Sequence, residues 1–396
     1  MRFMPPTTQK PLAAGKWLPL ALGLLWGGVQ LALYLHFGPR TSVDSDLYLE
    51  NARNLLHGQL PTDYSIWYLG YSAFLAVVLA LGGGLAQAVG AQIALSGVAA
   101  LGLGRAVRHL SGSRGTAYLA VFLYLLWFKI HQWNVFIYTE SLFTSCCVLS
   151  FALLVLARRP WQLGVALLLV GYTYLVRPTG FCFLIGVAGY GWARLRTLAV
   201  RPAALGLLVA GLAAGFLGLL SKILASYDQA MAGNVLIESY TRAEIIYPGI
   251  SLGVQPPAHL ALPAAHLAPL ARLVAFGTLN PVYFAKLAAI KFLLFSSNVK
   301  PYYSWAHNGA VAVLLWPLYY YAFRGWRRRP RRSPAAYFMG GFIAAQALTV
   351  ALTTENWDGR FLVPVLPFVF VLAALGLRAA PSAGWQRATV APARSN

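Results

Sequence analysis

Long apolar runs alternate with short polar connections along this chain, and the runs have the length of helices rather than of strands. They fall at 17–36, 68–84, 87–105, 116–133, 141–157, 161–176, 180–193, 203–222, 303–322, 335–351 and 361–377. A further run at 281–296 is interrupted by Lys286 and Lys291. A helix crosses the bilayer core with about 20 apolar residues, within a range of roughly 17–25. The pattern therefore predicts an all-α, polytopic membrane bundle. The first run is longer than the apolar core of a cleaved signal peptide and predicts a retained first helix. Gly82, Gly83 and Gly84 break the run that starts at 68, as expected of a segment that turns back before crossing.

Charge refines the count. If 68–84 and 281–296 do not cross fully, the basic loops all lie on one side. These hold Arg105, Arg108 and Arg114, Arg158 and Arg159, Arg194, Arg196 and Arg201, the run Arg324 to Arg332, and Arg378. Lys10 and Lys16 precede the first run on that same side. Basic loops mark the cytoplasmic face. The expectation is about ten full spans plus re-entrant or interfacial helices at 68–84 and 281–296, with a cytoplasmic N-terminus in a bacterial plasma membrane. Two long exterior loops, about 37–67 and 224–300, would form a small cap. Residues 1–380 read as one membrane domain, and 381–396 as a disordered tail.

Composition supports this and removes one alternative. The chain of 396 residues is 59% hydrophobic and only 10% charged, against about 25% charged for a soluble domain. Its net charge of +21 sits in short loops between apolar runs, not along an exposed face, so nucleic-acid binding is excluded. Cys146, Cys147 and Cys182 lie within apolar runs without a C-x-x-C spacing and read as small buried side chains. His131 and His307 read as interfacial polar residues, and the basic run at 324–332 as an anchor to anionic lipid.

In the expected topology all ten acidic residues fall on the exterior side or at outer helix ends. Acids contribute little to orientation, so their one-sidedness points to chemistry there. Residues 44–57 predict a short helix with Asp44, Tyr48, Asn51 and Leu55 on one face, ended by Gly58 and Pro61. Asp44 and Asp46 near its start equally suit a helix dipole. Glu140, Arg177, Glu355, Asp358 and Arg360 lie at apolar helix ends, where an ionisable group is expensive unless paired or facing a wet cavity. Together they predict a polar site in which a carboxylate serves as base and arginines hold a phosphate.

Four ordered features resemble membrane glycosyltransferases of the C fold class, the group that contains protein O-mannosyltransferases and lipid A aminoarabinose transferases. They are Asp44-Ser45-Asp46-Leu47-Tyr48 through Ala52, Arg53, Leu55 and Gly58; the segment Tyr68 to Ser72; the T-E-S-L-F element at 139–143; and R-P-T-G at 177–180 followed by D-G-R-F and P-x-x-P-F at 358–368. The resemblance implies sugar transfer from a polyprenyl-phosphate donor to a glycan, lipid or protein hydroxyl at the exterior face, with inversion. It implies Asp44 as base, with Asp46 as the competitor. Arg177 and Arg360 would stabilise the leaving phosphate. Tyr48, Tyr68, Glu140, Glu355 and Asp358 would line the substrate site, the tyrosines also suiting an interfacial belt. Asp44, Asp46 and Glu140 are hard oxygen ligands, yet the mannosyltransferase-like branch uses no metal, so neither metal nor cofactor is expected. The alternative reading is a polytopic transporter or lipid-linked sugar flippase.

Overall fold

The computed structural model describes residues 17–196, 202–329, 333–356 and 358–377, without the side chains of 202–206, 208–209 and 212–213. The expected tail at 381–396, Lys10, Lys16, Arg201 and Arg378 lie outside the described residues. The chain is helical almost throughout. Its first half holds α1 (Leu18–Phe37), α2 (Ser45–Leu56), α3 (Leu69–Ala80), α4 (Leu85–Ser111), α5 (Arg114–Leu126), α6 (Phe128–Gln132), α7 (Thr139–Leu156), α8 (Pro160–Val176) and α9 (Gly180–Leu195). The second half holds α10 (Pro202–Ala230), α11 (Val235–Thr241), α12 (Pro269–Leu279), α13 (Pro281–Ser297), α14 (Trp305–Arg327), α15 (Pro334–Leu352) and α16 (Leu366–Gly376). One two-residue parallel pair joins β1 (Ile246–Tyr247) to β2 (Glu355–Asn356).

The interior is built around α7, whose serines, threonines and cysteines are small enough for neighbours to close on every side. Fifteen of its residues are buried, including Cys146 and Cys147. Helices α4 and α8 pack against it, α15 packs on α9, and α14 on α16. All eleven residues of α16 are buried. A second, smaller core of Ile237, Tyr240, Ile246, Phe276 and Leu287 forms between α11, α12 and α13, so residues 224–300 fold into helices around a core of their own.

Much apolar surface faces outward. Leu24 is 68% exposed and Leu35 75% on α1, with Leu168 at 77% and Val313 at 73% elsewhere. Large apolar side chains exposed along helices in this way suit a surface that faces lipid. Four helices among the described residues are long and apolar enough to cross a membrane: α1, α4, α7 and α15. The protein is thus a multi-pass membrane protein.

Among the described residues the expected ten full spans are corrected to four, or up to five if the bent pair α12–α13 is one span; the expected span at 203–222 falls in α10, part of which lies outside that description. The reason lies in helix length. The runs at 116–133, 161–176, 180–193 and 361–377 yield helices of 13, 17, 16 and 11 residues. At about 1.5 Å per residue, the shortest reaches about 16 Å against a hydrocarbon core of about 30 Å. The 116–133 run breaks at Trp127, where α5 gives way to α6. Within 361–377 the first residues form turns rather than helix. Helix α14 is long enough but mixes His307, Asn308, Pro317 and three consecutive tyrosines into its apolar sequence. Helix α3 is too short to cross, at 12 residues. The pair α12–α13 bends by 111° at Asn280, as a broken span or a re-entrant loop would.

Candidate functional site

Asp44 stands immediately before α2, the helix predicted from residue spacing, and its side chain makes no capping bond to that helix. Tyr48 and Asn51 are buried on one face of that helix, and Leu55 packs against the same core. The segment before it is pinned to the segment before α7. Arg40 N–H donates to the Val135 carbonyl at 2.9 Å, and Ile137 N–H donates to the Arg40 carbonyl at 2.8 Å. The Ser45 hydroxyl then donates to the Ile137 carbonyl at 2.8 Å. These bonds set Asp44 against Tyr138, whose hydroxyl donates to Asp44 Oδ2 at 2.8 Å.

Glu140 lies in the first turn of α7, where the helix dipole favours an anion, and its side chain is fully buried. Two arginines share it. Arg177, at the sharp α8–α9 connection, places Nη1 3.1 Å from Glu140 Oε1. Arg360 follows Gly359, whose φ of 65° turns the chain inward, and places Nε 3.5 Å from the same oxygen. Arg360 Nη1 also lies 3.6 Å from Asp44 Oδ2. Aromatic faces hold both guanidiniums in place: Arg177 over Phe143 and Phe361 at 5.5 and 5.6 Å, and Arg360 over Tyr138 at 5.2 Å.

Four expected site residues, Asp44, Glu140, Arg177 and Arg360, thus converge from four separate parts of the sequence. Arg177 is buried and paired rather than extended to the headgroups. Asp46 does not join them. Two residues on, it points about 200° around the helix and is exposed. Tyr48 is buried, with its ring centroid 5.2 Å from that of Tyr68 and 6.0 Å from that of Tyr138. The Tyr68 hydroxyl is 2.8 Å from that of Tyr227. These rings wall the cluster instead of forming an exposed belt. Glu355 pairs elsewhere: its Oε1 lies 3.4 Å from Lys300 Nζ, with both side chains buried. Asp358 sits between the two pairs, within electrostatic reach of Lys129, Arg360, Glu140 and Lys300.

Sequence reading missed Lys129 and Lys300. Lys129 lay inside an apolar run and Lys300 in a loop, and only the unusual depth of Lys129 signalled a partner. His131, read as interfacial, is wholly buried, its Nε2 3.0 Å from the Tyr124 carbonyl.

Burial pushes the Tyr138 phenol up to about 12 against the pull of Arg360, so it keeps its proton and donates to Asp44. Burial opposes the charge on Arg360, yet Glu140 and the surrounding phenols hold its pKa above the ordinary value. Burial also raises Asp358 to about 6, with Lys129 and Arg360 opposing. A carboxyl group raised in the fold contributes stability below its ordinary pKa of 3.8, lost as pH rises to about 6. Asp358→Asn is therefore expected to gain stability relative to the natural protein between pH 4 and pH 6. The gain should then level off at about 1 kcal/mol after solvent screening. Melting curves across that range check it, and a difference independent of pH would count against the assignment.

The cluster can hold an anion and move a proton. The inner set of Arg177, Arg360 and Glu140 carries one net positive charge, two cations against one carboxylate. Arg177 Nη1 and Arg360 Nε face only Glu140 Oε1, outside hydrogen-bond geometry, and Arg177 Nε is buried with no hydrogen bond. Asp44, 38% exposed, is the most accessible of the four. Among the described residues no three His, Cys, Asp or Glu side chains gather where a metal ion would sit.

No protein-family model, curated protein or solved structure matches this chain. The resemblance to C-fold glycosyltransferases is not sustained, since no relative supports it and, among the described residues, four or five spans stand against the ten it implied. The sugar-transfer reaction inferred from it, and its exterior active site in a ten-span frame, fall with it.

Proposed function

We propose that the Asp44–Glu140–Arg177–Arg360 cluster binds the anionic, phosphate-type head of a membrane amphiphile. Asp44 then supplies acid–base chemistry beside the bound anion, which makes the protein an enzyme. The observation that carries this reading is that two buried guanidiniums share one carboxylate oxygen of Glu140, which leaves most of their N–H donors to be filled. Buried charge without full partners is costly, and an arginine fork fits phosphate oxygens in pairs. The apolar surface of the surrounding helices suits a ligand whose tail stays in lipid.

The orientation belongs to the same proposal: N-terminus cytoplasmic and cluster toward the exterior. Helix α7 starts at the cluster and ends near Arg158, α8 returns to Arg177, and α9 leads away to Arg194. His109, at the end of α4, lies within reach of both Arg158 and Arg194. The basic loops thus gather at the end opposite the acids, which supports the positive-inside reading.

Binding of dodecyl phosphate to the full-length protein in lipid nanodiscs tests the proposal. The natural protein should bind it, and dodecyltrimethylammonium should not compete. Arg360→Gln should weaken binding at least tenfold, about 1.4 kcal/mol, and Asp46→Asn should leave it unchanged. Binding indifferent to Arg360→Gln in a folded variant would sink the idea.

A further inference from the structure

We propose that the site continues past Arg360 into a second anion subsite built by Lys129 and Lys300, so that the ligand head carries two adjacent anionic groups of the diphosphate type. This rests on the anion-binding reading above and narrows its ligand class.

Lys300 is the first observation. Its side chain is 1% exposed and its Nζ is 3.4 Å from Glu355 Oε1, and beyond that contact the ammonium has no hydrogen-bond partner. Glu355 Oε2 is also buried without a partner. An ammonium has three donors, and a buried structural ion pair is stable when those donors are filled. This pair is held close but left incomplete. Lys129 is the second observation. Its Nζ reaches the Tyr303 hydroxyl at only 3.4 Å and stands 5.2 Å from the centre of that ring. Its side chain is partly accessible, which leaves a path for a ligand.

The chain geometry ties both lysines to the first subsite. Asp358, Gly359 and Arg360 are consecutive, so their Cα atoms span at most about 7.6 Å. Lys300 is packed on the middle of this turn. A Cβ placed on Gly359 would lie 3.9 Å from Lys300 Cε and 2.7 Å from Asn298 Oδ1. The positive φ and the close approach to Asn298 favour glycine here, and Lys300 lies in ordinary van der Waals contact with the turn. Asp358 lies within electrostatic reach of both lysines and of Arg360. Burial raises the pKa of Asp358 and lowers that of Lys129 and Lys300. The cost of charging the two lysines falls when an anion arrives beside them, while Asp358 is favoured in its protonated form. A single phosphate on Arg177 and Arg360 would leave the two ammonium groups as they are. A second phosphate bonded to the first would fill them.

The test compares dodecyl phosphate with dodecyl diphosphate on the full-length protein in nanodiscs. The natural protein should bind the diphosphate at least tenfold more tightly. Lys129→Gln, at a partly accessible position, should erase that preference while leaving dodecyl phosphate affinity unchanged. Because Lys300→Met strands Glu355, it is made together with Glu355→Leu, and the pair should erase the preference too. Equal affinity for both ligands, or a preference that survives Lys129→Gln, overturns the second subsite while leaving the first. Failure to bind either ligand, by protein with an unchanged melting curve, overturns the underlying anion-site reading as well.

Discussion

Glu140→Ala is expected to cost about 3–5 kcal/mol of stability, the range seen when one member of a buried charge pair is removed. The figure follows from what is left behind. Arg177 and Arg360 both lean on Glu140 Oε1, at 3.1 and 3.5 Å. Without that carboxylate, two guanidiniums are left in a buried setting, with the more distant Asp44 and Asp358 to offset Arg360. The reverse deletion is milder. Arg177→Met leaves Glu140 paired with Arg360, a neutral inner set, and methionine keeps contact with Phe143 and Phe361. The order of the two effects is therefore the informative quantity, more than either value. Thermal unfolding in one detergent, with Glu140→Ala, Arg177→Met and the double variant run together, gives all three. The double variant should be more stable than Glu140→Ala alone, because it removes one of the stranded cations. If Arg177→Met proves the more damaging, Glu140 is not the shared anchor of the cluster.

That cluster was largely legible from sequence, for a physical reason. Asp44, Glu140, Arg177 and Arg360 are ionisable residues flanked by apolar runs, and such positions require partners. Spacing also placed Tyr48 and Asn51 on the buried face of α2, and Gly58, with φ of 75°, at the turn just after it. Less legible was which acid pairs with which base. Glu355 was grouped with the others because only two residues separate it from Asp358, yet its strand position beside β1 turns it to Lys300. The spans were the larger error. Hydropathy registers apolar residues whether they form helix or turn, so nothing in LYLLWFKIH announced the break at Trp127, which lacks glycine or proline. The same blindness merged the turns before Leu366 with α16. A buried helix such as α16 is as apolar as a lipid-facing one. Sequence alone therefore counted interior helices as spans.

Gly376→Val is expected to cost about 3 kcal/mol or more, at the upper end of overpacking penalties, because the atoms it meets are backbone. Helices α14 and α16 touch through two glycines. A Cβ on Gly376 would fall on the Tyr321 carbonyl oxygen, and 2.8 Å from Gly325 N. A Cβ on Gly325 would fall on the Leu372 carbonyl oxygen, and 3.0 Å from Gly376 N. Neither contact is with the end of a flexible side chain, so no rotamer change relieves it and the helices must separate. Small residues allow this approach, which yields van der Waals contact along both backbones. Alanine at either position should already be destabilising, and valine more so. The two alanine substitutions together should cost less than their sum, since helices parted by the first need not part again for the second. The effect should remain local. Gly376 closes the far end of α16, ten residues beyond its start at Leu366, whereas Arg360 lies before that start. Gly376→Ala should therefore lower the melting temperature while leaving dodecyl phosphate affinity within twofold of the natural protein. An unchanged melting temperature would show that α14 and α16 do not cross through these glycines. A loss of affinity alongside the lower melting temperature would show instead that the anion site depends on this crossing.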